Sequence, residues 1–137
     1  MEIDATAARV WELLTDFDSF PAWNPFIRRA EGELAPGAQL KVRLRLLDGR
    51  SVGFRPRVTH VDPGRELRWL ARTGVPGVFD VDRRFLIEPL GPSSVRFVQS
   101  EVCTGVLAPL IGIGVEARIL RGYRQLEQAI KARAESS

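Results

Sequence analysis

The chain has 137 residues, enough for one domain and too few for two of ordinary size. Hydrophobic residues make up 45% and charged residues 27%, the range of chains that bury a core rather than stay disordered. One cysteine, Cys103, excludes an internal disulfide, and with one histidine, His60, a Cys/His zinc centre lacks ligands. The formal charge is only +3, a surplus that permits an anionic partner without requiring one, although 18 of the 20 cationic residues are arginine.

Glu2 and Asp4 interrupt the start of the chain, so it does not read as a signal peptide. The longest uncharged apolar run, 105–115, is far short of the ~18 residues that span a bilayer. The expectation is a cytoplasmic protein.

Residues 1–4 read as the stub of a strand. A helix is predicted over 6–16, where Val10, Leu13, Leu14 and Phe17 recur at helical spacing and Thr6 or Asp4 serves as the cap. One helical turn follows at 19–23, ended by Asn24-Pro25, because a residue before proline avoids the α region. Six strands are then predicted, at 27–34, 39–47, 51–62, 66–72, 78–89 and 94–103. Pro-Gly, Asp-Gly and Gly-Pro turns separate them at the short spacing of an antiparallel meander. A long helix over 109–133 closes the chain, with Val115, Ile119, Tyr123, Leu126 and Ile130 on one stripe. The fold class is α+β, in one domain over 1–137.

Side-chain parity divides the sheet into two faces. Val42 and Leu44 alternate with Lys41, Arg43 and Arg45, and matching apolar to apolar pairs Leu44 with Phe54 and Arg43 with Arg55. A Pro63-Gly64 turn pairs Val58 with Trp69 and His60 with Leu67, which puts His60 inside; a bulge before it would turn it out and Val61 in. If Phe85 faces Phe97, Arg83 faces Gln99 and lies diagonal to Glu101. One face is therefore apolar, through Phe54, Val58, Trp69, Phe79, Phe85 and Phe97, yet carries Arg83, Gln99, Glu101 and His60. A solid core avoids isolated charge, whereas a ligand cavity is mostly apolar with a few placed polar groups. The competing reading is a structural ion pair. The other face collects arginines diluted by acids and lacks aromatics for stacking on bases, so it reads as a solvated face and not a nucleic-acid surface.

The motifs Ile3-Asp4-Ala5 leading to Val10-Trp11, Phe20-Pro21-Ala22-Trp23-Asn24-Pro25-Phe26, Arg65-Glu66-Leu67-Arg68-Trp69 and Gln99-Ser100-Glu101 follow in order. With Gly105-Val106-Leu107-Ala108-Pro109-Leu110, they resemble the START/Bet v 1-like (SRPBCC) superfamily, and within it the polyketide cyclase/dehydrase-like group. The resemblance covers nearly the whole chain. It implies a helix-grip fold: a curved antiparallel sheet of six strands plus a clipped N-terminal one wraps the C-terminal helix, with two short helices after strand 1. A hydrophobic cavity lies between sheet and helix.

The first functional reading is a binding module for a lipid, polyketide or quinone-like compound. Trp23, Phe26 and the sheet residues above line its cavity with Val115 and Ile119, and Arg83, Gln99 and Glu101 orient a polar end. An enzyme of the aromatase/cyclase kind is the alternative, with Glu101 or His60 as acid or base and Arg83 stabilising an enolate. A co-chaperone-like module using the arginine face is the third. No metal or cofactor is expected. Gly74-Val75-Pro76-Gly77 reads as a lid loop, 105–115 as a closure of the cavity or a transient membrane contact, and Cys103 as a buried structural thiol.

Overall fold

The structure, a computed structural model, describes the chain apart from residues 47–48, 73–79, 106–107 and 137; over 108–120 it describes the helix but not the side chains. Phe79, the 74–77 loop, residues 106–107 of the apolar run and the side chains of 108–115 and of Ile119 thus lie outside the described residues.

The elements are β1 (Glu2–Ile3), α1 (Ala7–Thr15), a 3₁₀ turn (Phe17–Ser19), α2 (Phe20–Trp23), β2 (Ile27–Glu31), β3 (Lys41–Arg45), β4 (Ser51–Phe54), β5 (Arg57–Asp62), β6 (Glu66–Arg72), β7 (Asp80–Gly91), β8 (Ser94–Thr104) and α3 (Ala108–Glu135). The strands form two antiparallel sheets, one ordered β1-β8-β7-β6-β5 and one ordered β2-β3-β4.

The segment expected as one strand over 51–62 is two strands in different sheets. Pro56 is buried between them and has no N–H to give a ladder, so the chain bends there. Residues 37–40 bridge the break: Leu40 N–H donates to Pro56 O at 2.9 Å and Val58 N–H to Ala38 O at 2.8 Å.

Local chemistry sets the N-terminal elements. Thr6 caps α1, its hydroxyl accepting from Arg9 N–H at 3.1 Å, and α1 buries Val10, Leu13 and Leu14. After α2, the fully buried Asn24 accepts from Phe26 N–H at 3.0 Å and Ile27 N–H at 2.8 Å through Oδ1. This Asx-type turn launches β2 and aims Phe26 at α3. Gly122 receives the ring: a Cβ there would stand 2.0 Å from Phe26 Cε1. The Phe26 ring meets Tyr123 edge-on at 4.7 Å. At its far end α3 is tied to β1, where Asp4 N–H donates to Glu135 and Lys131 Nζ donates to Glu135 and to Glu2 O. The backbone N–H of Asp4, and then Lys131, hold the Glu135 carboxyl below its ordinary value.

Three expected registers differ. β3 and β4 pair Leu44 with Val52 and Arg43 with Gly53, not with Phe54 and Arg55. β7 and β8 pair Phe85 with Gln99 and Ile87 with Phe97, so Phe85 does not face Phe97. Both are two-residue shifts, which keep every side chain on its expected face. The third correction is a bulge between Val58 and His60 in β5.

Candidate functional site

Arg83 comes from the middle of β7 and is 3% exposed among apolar neighbours. Parity along the strand turns it inward with Phe85 and Ile87. Its register partner is Glu101 on β8, and Gln99 is the diagonal one, the reverse of the expected arrangement. Both reach it: Nη1 donates to Glu101 Oε2 at 3.1 Å and Nη2 to Gln99 Oε1 at 2.8 Å. Gln99 in turn donates to Tyr123 O on α3 at 3.0 Å, tying the group to the helix.

Tyr123 is the member that sequence reasoning missed. The Arg83 Cζ lies 3.3 Å from the Tyr123 ring centroid and 5.5 Å from that of Phe85, a cation–π stack in a desolvated setting. The signal was present: Tyr123 is the chain's one tyrosine, set in an otherwise aliphatic stripe. Burial draws the guanidinium below its ordinary pKa, against the opposing pull of Tyr123 and Glu101, and the group stays charged. Burial likewise pushes the Tyr123 phenol up to about 12, although the Arg83 charge favours the phenolate.

Arg83 Nε is buried and has no acceptor among the described residues. The group borders a cleft of about 220 Å³, which Glu127 and Arg124 of α3 also line. Here stand a fixed cation, a carboxylate, an amide and an aromatic face, beside space for a small group.

The apolar wall continues from this group. Trp69 packs edge-on against Phe85 at 5.2 Å and against Phe54 at 6.3 Å, and Phe97 stacks on Phe85 at 6.5 Å. Val58 is fully buried opposite Trp69. At the α1–α2 end the packing closes, leaving about 10 Å³ among Trp23, Ile27, Trp69, Phe85 and Leu126, room for one water at most. Trp23 there is half-buried and donates through Nε1 to Ser19 at 3.0 Å.

His60 does not join the site. The bulge pairs it with Arg68 and gives the inward place to Val61, so its side chain is 49% exposed on the outer face, 3.4 Å from Glu66. Its expected place inside is thereby corrected. Cys103 is half-buried, and its thiol lies 3.6 Å from Glu101 Oε1. Among the described residues there is no cluster able to hold a metal ion, and no helix long and apolar enough to cross a membrane.

Comparison with known proteins bears on this geometry. The profile of the family described as polyketide cyclase/dehydrase and lipid transport matches residues 1–135. A START superfamily protein from Mycobacterium smegmatis is 26% identical, with a TM-score of 0.73 over 99% of this chain and 94% of that one. A protein from Chromobacterium violaceum is 17% identical, with a TM-score of 0.72 over 98% of this chain and 94% of that one. The di-domain ARO/CYC StfQ from the steffimycin biosynthetic pathway is 16% identical, with a TM-score of 0.72 over 99% of this chain and 49% of StfQ. No curated protein sequence matches.

Proposed function

The chain belongs to the polyketide cyclase/dehydrase and lipid transport family, and from that premise we propose that it binds a hydrophobic small molecule between the sheet and α3. The ligand class is a lipid, polyketide or quinone-like compound with a polar end. The single observation that carries this reading is the buried Arg83, held by Glu101 and Gln99, at the edge of a cleft that borders an otherwise apolar interior. A buried charge pair is poor value as mere stabilisation, because desolvation offsets most of its attraction. As a fixed donor for a carbonyl or carboxylate at the end of an apolar ligand it has a use, and apolar burial then supplies most of the affinity.

Displacement of an apolar fluorophore by a panel of fatty acids, polyketides and quinones tests this. The wild type is expected to prefer ligands with an acidic or carbonyl end over the matching hydrocarbons. The double variant Arg83→Met/Glu101→Gln removes both charges together, so no lone charge is left inside, and it is expected to lose that preference while still binding apolar chains. No displacement by any panel member from folded wild type would overturn the reading; an unchanged preference in the double variant would remove Arg83 from the site.

One observation favours a second reading. Glu101 sets a carboxylate beside a guanidinium at the cleft, an acid/base next to a group that stabilises an enolate, as a cyclase would need. The di-domain ARO/CYC StfQ shares the fold. Turnover of a poly-β-keto substrate that disappears in Glu101→Gln would favour catalysis over carriage.

A further inference from the structure

The arginines of the outer face divide into two populations. On the five-stranded sheet three are partnered: Arg68 lies 3.8 Å from Asp82, Arg96 lies 3.6 Å from Glu88, and Arg84 pairs with Glu66. On the three-stranded sheet they are not. Arg29, Lys41 and Arg43, with Arg55 just beyond the end of β4, are all exposed, and among the described residues none of them has an ion-pair partner. One acid, Glu31, stands among the four cations, opposite Lys41 in register.

These residues are not a flat face. They line a groove of about 390 Å³ across β2, β3 and β4. Arg29 and Arg43 are direct partners across β2 and β3, a like-charge pairing that destabilises a sheet when nothing lies between the charges. The next position in that row, on β4, is Gly53, and Arg43 Nη2 lies 3.7 Å from where its Cβ would be. The missing side chain leaves the guanidinium room to lie across the strand and opens the groove.

We propose that this groove is a phosphate-binding site, separate from the interior. A lone carboxylate carries one charge and would be matched by one of these cations. A phosphate monoester or pyrophosphate brings about two or more charges and several acceptor oxygens, and so uses a pair of guanidinium forks with further cations around them. Such an anion between Arg29 and Arg43 also turns their repulsion into shared attraction. The same chemistry is offered by a free phosphorylated small molecule and by a phosphomonoester lipid headgroup.

The test follows backbone amide NMR shifts during titration with inorganic pyrophosphate at physiological salt. Flotation with phosphatidic acid vesicles forms the second arm. Wild type is compared with Arg29→Gln/Arg43→Gln and with Arg68→Gln as a control on the partnered sheet. Saturable shifts centred on residues 29, 43 and 53 are expected, weakened at least about tenfold in the double variant and unchanged in the control. Binding to vesicles alone, lost in the double variant, would assign the site to a lipid headgroup. Binding to neither probe, or binding that survives in the double variant, would overturn the proposal. Arg29 and Arg43 are exposed and Arg68 lies on the outer face, so ligand displacement from the interior is expected to be the same in each variant.

Discussion

At the scale of single residues, one inward arginine organises the candidate site. Its place inside was legible from parity: with Phe85 and Ile87 turned in, Arg83 has nowhere else to point. Its exact partners were not, because matching apolar to apolar leaves two-residue shifts equivalent. His60 shows the complementary failure, since one bulged residue reverses a face and no local pattern distinguishes His60 from Val61 as the residue turned out. The Arg83–Tyr123 stack makes a direct prediction. Tyr123 is the chain's one tyrosine, so the phenolate absorbance reports on it alone. Its pKa is about 12 when folded against an ordinary 10.0. The folded state thus favours the neutral phenol, and stability is flat below pH 10 and falls as pH rises toward 12. By linkage that loss is on the order of 3 kcal/mol. Absorbance titration, with circular dichroism to follow the fold, should give a midpoint well above 10; a midpoint near 10 in folded protein would contradict burial against Arg83.

At the scale of elements, two fastenings of α3 lie apart from the Arg83 group. One is polar, the tie of Lys131 and Glu135 to β1; the other is steric, Phe26 seated on Gly122. The helix itself was legible from the Tyr123–Leu126–Ile130 stripe. In sequence terms Gly122 is a weak point of that helix, and its reason lies in a ring that arrives from the turn before β2, far away along the chain. Gly122→Ala is predicted to destabilise by ~1–3 kcal/mol through overpacking, which exceeds the ~1 kcal/mol that alanine gains in helix propensity. Thermal unfolding checks this, and Phe26→Leu in the Gly122→Ala background should recover part of the loss. A Gly122→Ala variant as stable as wild type would show that α3 does not rest on Phe26. The break at Pro56 was readable too, since proline cannot serve a central ladder, yet the alternation of Val52, Phe54 and Val58 runs through it.

For the whole molecule, the order of elements and the family resemblance outlined a helix held against an antiparallel sheet, and the structure has that arrangement as two sheets. What it adds is a division of labour. The α1–α2 end is packed nearly solid, and the Arg83 end combines charge, an unpartnered N–H and open volume. In the proposed reading the ligand's polar end lies at β7 and β8, beside the cleft. The central claim is that the interior holds a hydrophobic small molecule. Native mass spectrometry of protein purified without detergent or organic solvent tests it most directly. The account predicts a mass above that of the 15.3 kDa chain, with the extra component released on denaturation and extractable into organic solvent. The bare chain mass alone, persisting after incubation with fatty acids, polyketides and quinones, would contradict it.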